Sequence, residues 1–136
     1  MFNSAGNGGT ANYTLENVNF LNNEAGREGG AIFNTQNGSG SVCNPTVINC
    51  NFNNNIADRS GGAIYNNGSY FGEVSGSYTD CEFNNNDAQT AEGGAIYNNA
   101  FFQGTSNPSY TNCIFKGNQA TPGSGGAIYN LSLIHI

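Results

Sequence analysis

Residues 50–66, CNFNNNIADRSGGAIYN, contain the two motifs that decide the fold. The first is Phe-x-x-Asn, at Phe52 and Asn55, and the second is Gly-Gly-Ala-Ile-Tyr-Asn. The glycine motif, with Phe in place of Tyr in its first copy, recurs at a constant spacing of 32 residues, starting at Gly29, Gly61, Gly93 and Gly125. A fixed spacing of this length is typical of a repeat architecture.

Further positions keep the same register in all four copies. The first motif occurs at Phe20/Asn23, Phe52/Asn55, Phe83/Asn86 and Phe115/Asn118. Two positions before each Phe is a small residue: Val18, Cys50, Cys81 and Cys113. Three positions before it is an Asn or Asp: Asn17, Asn49, Asp80 and Asn112. Composition alone does not place this many residue types in register, so we interpret the chain as four copies of one structural unit.

Each copy contains three short apolar patches that are separated by polar turns. In the second patch, Cys-x-Phe alternates with the two-residue period of a strand. No window shows helical periodicity, and Gly, Asn, Ser and Thr are poor helix formers. The sequence therefore predicts an all-β parallel β-helix with three short strands per coil. Its four coils would comprise about residues 3–34, 35–66, 67–98 and 99–130.

Equivalent residues of neighbouring coils lie about 4.8 Å apart in such a solenoid. We expect the four Phe residues of the first motif to form an internal ladder of stacked rings. The four Asn residues that follow them are expected to hydrogen-bond from coil to coil. Each Gly-Gly pair marks either a positive φ or a position where a Cβ would collide with the next coil. Whether Ala31 or Ile32 points inward stays open.

Composition and charge exclude several classes of protein. Leu, Ile, Val and Phe together supply 26 of the 136 residues, which approaches the composition of disordered chains, but their registered positions indicate a solenoid instead. The net charge is −6, and Arg27, Arg59 and Lys116 are too few for the positive surface that nucleic acid requires. No apolar run is long enough to span a membrane, and the first residues lack the features of a signal peptide.

Both ends of the sequence have unusual features. Residues 1–3 align with residues 32–34, so we expect the chain to be a fragment that is cut from a longer array at both ends. Residues 131–136, LSLIHI, can be back-translated to the transposase-end adapter of shotgun sequencing libraries, and we predict that they are read-through. Removing them removes His135, the only histidine.

The paired GGAI and Phe-x-x-Asn repeats resemble those of chlamydial polymorphic outer-membrane proteins and of adhesin-like β-helix proteins. The resemblance extends over residues 3–130. It implies a right-handed parallel β-helix that acts in adhesion, either secreted or displayed on the outer membrane or cell wall like an autotransporter passenger. The positions that match the family motifs have structural roles in it, namely Gly29, Gly30, Ala31, Ile32, Phe20, Asn23 and their equivalents.

The sequence predicts no catalytic, cofactor-binding or metal site. Cys50, Cys81 and Cys113 share a column with Val18, so we interpret them as small buried side chains, and a linear ladder does not offer tetrahedral zinc geometry. Pairing of Cys43 with Cys50 stays open. The carboxylates that could form an acid/base pair or a calcium site are expected to lie on solvated turns: Glu28, Asp80, Glu82, Asp87 and Glu92.

The variable segments 35–45, 67–76 and 99–108 are predicted to be protruding loops, which are the usual recognition elements of a repeat scaffold. Tyr70, Phe71, Phe101 and Phe102 are candidate contacts for a protein or a glycan at a cell surface, with packing against the coil as the alternative. The predicted function is a non-catalytic adhesin-like scaffold. The alternative is a fragment of a polysaccharide lyase or glycosidase whose catalytic coils lie elsewhere. We also expect end-to-end self-association of the cut coils.

Overall fold

The computed structural model describes residues 1–133, which form seventeen β-strands and no helix. In chain order the strands are β1 (Phe2–Gly6), β2 (Thr14–Glu16), β3 (Asn19–Leu21), β4 (Glu24–Ala25), β5 (Ile32–Asn37), β6 (Thr46–Ile48), β7 (Asn51–Asn53), β8 (Ile56–Ala57), β9 (Ile64–Asn67), β10 (Ser77–Thr79), β11 (Glu82–Asn84), β12 (Asp87–Ala88), β13 (Ile96–Phe101), β14 (Ser109–Thr111), β15 (Ile114–Lys116), β16 (Gln119–Ala120) and β17 (Ile128–Leu133).

The strands form four parallel sheets along the axis of a solenoid, which confirms the predicted parallel β-helix of about four coils. Each coil passes in turn through the first sheet (β2, β6, β10, β14), the Phe sheet (β3, β7, β11, β15), the short sheet (β4, β8, β12, β16) and the GGAI sheet (β1, β5, β9, β13, β17). Every pairing joins strands of adjacent coils, and every pairing is parallel.

Each coil contains one strand more than the three that we expected. The additional strand is the two-residue element of the short sheet, such as Ile56–Ala57, between the Phe strand and the Gly-Gly pair. Two residues are too short to show an alternating apolar pattern, so the sequence contains no periodic signal for this strand. An Ala recurs at the second position of this strand in all four copies, and Ala57, for example, pairs with Ala88.

The pairing register follows the repeat closely. Phe20 pairs with Phe52, Phe52 with Phe83, and Phe83 with Phe115, although the second of these spacings is 31 residues and the others are 32. Asn67 pairs with Thr35, and Tyr78 pairs with Val47. The third coil is therefore one residue shorter than the second coil between these two pairs. It regains one residue between Ala88 and Ile96, where Ile96 pairs with Ile64. The solenoid therefore absorbs changes of length at its corners.

The core is a narrow column of stacked side chains. In the middle coils, the fully buried residues of this column are Val47, Tyr78, Cys50, Cys81, Phe52, Phe83, Ala63, Ala95, Ile64 and Ile96. Ala31 and Ile32 are both buried, so the choice between them that the sequence left open does not arise. Few inward side chains are enough, because each one packs on its own equivalent in the coils above and below.

In the first three Gly-Gly pairs, the two glycines are required for different reasons. The first, as at Gly61, adopts a positive φ of 68°, a backbone conformation that residues with a Cβ rarely adopt. The second, Gly62, has no room for a side chain: a Cβ would lie 2.5 Å from the backbone nitrogen of Asp87 and closer still to the carbonyl oxygen of Gly94. Both explanations offered by the sequence therefore apply, one to each glycine.

The C-terminal strand β17 continues into the segment that we predict to be read-through. Leu131, Ser132 and Leu133 pair with Asn99, Ala100 and Phe101 of β13. His135 lies outside the described residues, and the origin of residues 131–136 stays a prediction. Within residues 1–133, no helix meets the length and hydropathy of a membrane span.

Candidate functional site

The Phe residues of the first motif form a continuous stack inside the solenoid. Ring centroids lie 4.8 Å apart between Phe20 and Phe52, 4.7 Å between Phe52 and Phe83, and 4.8 Å between Phe83 and Phe115. The rings are within 4° of parallel. This spacing equals the rise of a coil, so each ring contacts its equivalents directly, and the stack is part of the scaffold rather than a site.

The Asn residues of the first motif form a hydrogen-bonded ladder beside these rings. Nδ2 of Asn23 donates to Oδ1 of Asn55 at 2.8 Å, Nδ2 of Asn55 to Oδ1 of Asn86 at 2.9 Å, and Nδ2 of Asn86 to Oδ1 of Asn118 at 2.9 Å. Nδ2 of Asn86 also donates to the carbonyl oxygen of Phe52 at 2.9 Å. The ladder satisfies the backbone at the turn after each Phe strand.

A second Asn ladder, which was not predicted from the sequence, lies on the buried face of the GGAI sheet. Nδ2 of Asn34 donates to Oδ1 of Asn66 at 2.9 Å, and Nδ2 of Asn66 to Oδ1 of Asn98 at 2.8 Å. The buried Tyr78 joins it, because its hydroxyl donates to Oδ1 of Asn66 at 3.3 Å. Burial raises the pKa of Tyr78 well above its ordinary value. The signal was present as the last residue of GGAIYN, which recurs in every copy.

A second aromatic ladder, also missed, lies on the outer face of the GGAI sheet. Neighbouring ring centroids are 5.0 to 5.5 Å apart along the series Phe2, Phe33, Tyr65, Tyr97 and Tyr129. The rings stack with interplanar angles of 5° to 21°, so neighbouring rings contact one another through their faces. The signal for this ladder was the constant aromatic residue after each Ile.

The cysteines are all free thiols, and they lie in the scaffold. Cys43, Cys50 and Cys81 are buried, and Cys113 is half-buried in the last coil. Burial raises the pKa of the Cys43 and Cys81 thiols to about 11. Cys50, Cys81 and Cys113 belong to the main core, whereas Cys43 packs in a separate small cluster with Ala5 and Val74.

The carboxylates do not converge on a common point. Asp80 and Glu82 are exposed, whereas Asp87 is half-buried and its Oδ1 has no hydrogen-bond partner. Glu28 and Glu92 are half-buried instead of solvated, and Glu28 lies 3.6 Å from Nε of Arg27 and 3.4 Å from Nη1 of Arg59. Within the described residues, no three His, Cys, Asp or Glu side chains form a group that could hold a metal ion.

The variable segments are stacked corners and not the protruding loops that we expected. Parallel bridges join Thr10 to Val42, Val42 to Glu73 and Glu73 to Thr105, so these segments continue the coil-to-coil pairing. Ala5, Cys43 and Val74 form a small core of their own beneath them. Short side chains and glycines allow this close stacking.

The candidate site is the aromatic corner, which we define as Tyr70, Phe71, Phe101 and Phe102. Tyr70 is 58% exposed, Phe71 47% and Phe102 36%, while Phe101 ends β13 and is half-buried. The Tyr70 and Phe102 ring centroids are 5.6 Å apart at 39°, and those of Phe71 and Phe102 are 5.6 Å apart at 88°. Phe101 lies 6.0 Å from Tyr70 in an edge-on arrangement. The structure thus brings all four predicted residues together on two adjacent coils.

The chain was compared with protein families, curated proteins and solved structures. The family model of the Chlamydia polymorphic membrane protein repeat matches the chain four times, at residues 17–35, 49–67, 80–99 and 112–131, which together make more than half of its length. The chain belongs to this repeat family. The comparisons with curated proteins and with solved structures give no match.

The polymorphic membrane protein repeat coincides with the scaffold. Each matched stretch contains one Phe-x-x-Asn motif and one Gly-Gly-Ala motif, and therefore the Phe, short and GGAI strands of one coil. The residues between the matches, 36–48, 68–79 and 100–111, contain the corners and the first sheet. All four residues of the aromatic corner lie in these unmatched segments.

Proposed function

We propose that this chain is a non-catalytic segment of an adhesin-like protein that is secreted or displayed at a cell surface. Its stacked coils act as a stiff scaffold, and its variable corners contact a protein or glycan of another surface. The aromatic corner is the part of the chain that makes this contact. Recognition on a repeat scaffold typically uses the segments that differ from repeat to repeat.

One observation carries the proposal. The family model matches the Phe strand, the short strand and most of the GGAI strand of each coil, and it leaves out the corners that carry Tyr70, Phe71 and Phe102. The separation of a shared scaffold from an individual corner supports a presenting role for the chain.

The family name supports the proposed location. The matching repeat is that of polymorphic membrane proteins of Chlamydia, and we extend this location to the present chain as part of the proposal. A stiff solenoid of parallel strands is well suited to hold a contact surface away from a membrane, because its coils are linked by backbone hydrogen bonds along the whole axis.

A graft between corners tests the proposal. The register aligns residues 6–9, Gly-Asn-Gly-Gly, with residues 69–72, Ser-Tyr-Phe-Gly, and with residues 101–104, Phe-Phe-Gln-Gly. Both aromatic segments can therefore be replaced by the sequence of the first corner without a change of length. Beads coated with the parent chain are expected to attach to cultured cells, and beads coated with the grafted chain are expected to lose that attachment.

Two results would overturn the proposal. One is attachment that the graft leaves unchanged, because the corner would then not be the contact surface. The other is release of reducing sugar from a polysaccharide by the parent chain that Asp80→Asn or Asp87→Asn abolishes, which would support the glycosidase or lyase alternative. Both variants keep the size of the side chain, so loss of cleavage would report chemistry and not packing.

A further inference from the structure

The backbone of the aromatic corner is one that aromatic residues disfavour. Tyr70 and Phe71 both have positive φ angles, 57° and 63°, and so do Phe102 and Gln103 in the next coil, at 53° and 55°. Residues with a Cβ rarely adopt this conformation, and two in succession are the pattern for which Asn-Gly is preferred. Strained residues of this kind persist where a structure over-determines them and often mark functional sites.

The first coil makes the equivalent corner with the preferred residues. Asn7 and Gly8 have φ angles of 53° and 72°, and the second coil has Gly38 and Gly40 in this region. The solenoid therefore closes this corner without an aromatic residue in two of its coils. The turn itself therefore does not require Tyr70 and Phe71, and their presence indicates another role.

The rings of the corner are arranged differently from those of the two ladders. In the ladders the rings are nearly parallel, and each face is covered by the next ring. At the corner the rings of Phe71 and Phe102 meet at 88°, and those of Tyr70 and Phe102 at 39°. Tyr70 and Phe71 remain 58% and 47% exposed. Crossed rings form an open apolar surface that a flat ligand can contact.

The surroundings of this surface are polar but carry almost no charge. Residues 60–72 and 93–115 contain no Asp, Glu, Lys, Arg or His. The closest charged residue in sequence is Glu73, whose Oε1 already accepts a hydrogen bond from Nδ2 of Asn44 at 2.7 Å. Amide and hydroxyl groups are exposed instead, on Asn37, Ser39 and Gln103 of the adjoining corners.

From this combination we propose that the aromatic corner binds neutral carbohydrate. A sugar ring presents an apolar face of C–H groups, which packs on an aromatic ring, and a rim of hydroxyls, which exchange hydrogen bonds with amides and hydroxyls. Neither interaction needs a charge. Charged residues around a protein interface usually steer the association of the two proteins, and this corner offers none beyond Glu73.

The inference rests on the proposed function, because it names the ligand of the same corner, and a double variant tests it. In Tyr70→Asn/Phe71→Gly the corner receives the residues of the first coil. We expect a melting temperature equal to or above that of the parent, since the strained residues are gone. In gels that contain a neutral glucan, mannan or N-acetylglucosamine polymer, the parent is expected to be retarded, and the variant to bind about tenfold more weakly.

Matched controls separate this effect from a general loss of apolar surface. Ile114 is 54% exposed on the outer face of the Phe sheet, so Ile114→Thr removes a similar group far from the corner and is expected to leave retardation unchanged. Gels that contain sulfated or uronic-acid polymers are expected to retard neither chain. Phe102→Asn/Gln103→Gly is expected to repeat the result of the first variant.

Three results would overturn the inference. A fall in the melting temperature of the double variant would show that the aromatic residues serve packing. Retardation by charged polymers alone would assign an ionic ligand. Absence of retardation in every neutral polymer, while beads coated with the parent still attach to cells and the grafted chain does not, would leave the proposed function in place and make the ligand a protein.

Discussion

The side chain of Asn55 is held on both sides by its equivalents: Nδ2 donates to Oδ1 of Asn86 at 2.9 Å, and Oδ1 accepts from Nδ2 of Asn23 at 2.8 Å. Asn55 is fully buried, and a second bond from its Nδ2 reaches the carbonyl oxygen of Phe20 at 3.1 Å. The amide group is well suited to this position, because it carries donors on one atom and an acceptor on the other. The same geometry in each coil gives the ladder a single direction along the axis.

Asn55→Asp is expected to destabilise the chain by about 3 kcal/mol or more at neutral pH, because the carboxylate loses both donors and brings a charge into the core. Lowering the pH should recover part of this loss, since protonation restores one donor. Urea unfolding at pH 7 and at pH 4 measures both effects. Asn54→Asp is the matched control, because Asn54 is exposed and its φ of 55° suits Asp equally well. Equal stability of the two variants would contradict the role of the ladder.

The Phe ladder is expected to be a major source of stability. Phe52→Ala or Phe83→Ala removes a fully buried ring between two stacked neighbours and should cost roughly 3–5 kcal/mol. Phe2→Ala serves as the control, because Phe2 is 71% exposed and contacts only one ring of the outer ladder. Chemical denaturation of the three variants provides the comparison. An unchanged free energy of unfolding in Phe52→Ala would show that the stacked rings do not stabilise the fold.

The second glycine of the first three pairs is expected to tolerate no side chain. Gly62→Ala places a Cβ against the carbonyl oxygen of Gly94 and the backbone of Asp87, and should destabilise the chain by about 3 kcal/mol or more. Gly6→Ala is its control, because there the nearest atom, the carbonyl oxygen of Asn37, lies at 3.8 Å and φ is not positive. Thermal unfolding distinguishes the two. Similar melting temperatures would mean that the coils can separate locally.

Alkaline conditions are expected to unfold the chain. Burial raises the pKa values of the Cys43 and Cys81 thiols to about 11, and it raises the pKa values of Tyr13, Tyr78 and Tyr110. The unfolded state therefore releases these protons at lower pH than the folded state. The stability that depends on these groups should be fully present below about pH 8.5 and should be lost as the pH rises further.

Tyrosine absorbance near 295 nm and circular dichroism, followed together during the titration, measure this effect. The ionisation of the buried tyrosines should coincide with the loss of β-structure. Complete ionisation of the tyrosines in a chain that keeps its circular dichroism would contradict their burial.

The sequence predicts the scaffold well because its constraints repeat. The Phe and Asn columns follow from register alone, since every coil places the same residue in the same surroundings. The ladder of Asn34, Asn66 and Asn98 was missed although its residues recur, because the direction of the GGAI strand depends on the turn at the Gly-Gly pair. That turn buries both Ala31 and Ile32, which an alternating pattern does not allow.

The corners were harder to predict, for a physical reason. Tyr70 and Phe71 have no intrinsic preference for positive φ, so nothing in their own chemistry indicates a tight corner. The corner is imposed by the coils on either side, through pairings such as that of Glu73 with Val42 and Thr105. The sequence predicted only that the four aromatic residues lie in variable loops. Their contact across two coils results from the stacking of those coils.

The interchangeable register of the coils has a consequence for how such a protein can change. Each coil contacts the coils above and below it through the same Phe, Asn and Gly positions. Phe52, for example, pairs with Phe20 on one side and with Phe83 on the other. Deletion, duplication or exchange of a whole 32-residue unit by recombination would therefore leave every remaining junction intact. Each exchange would bring its own corner to the surface, so a family of such genes can vary what it presents without evolving a new fold.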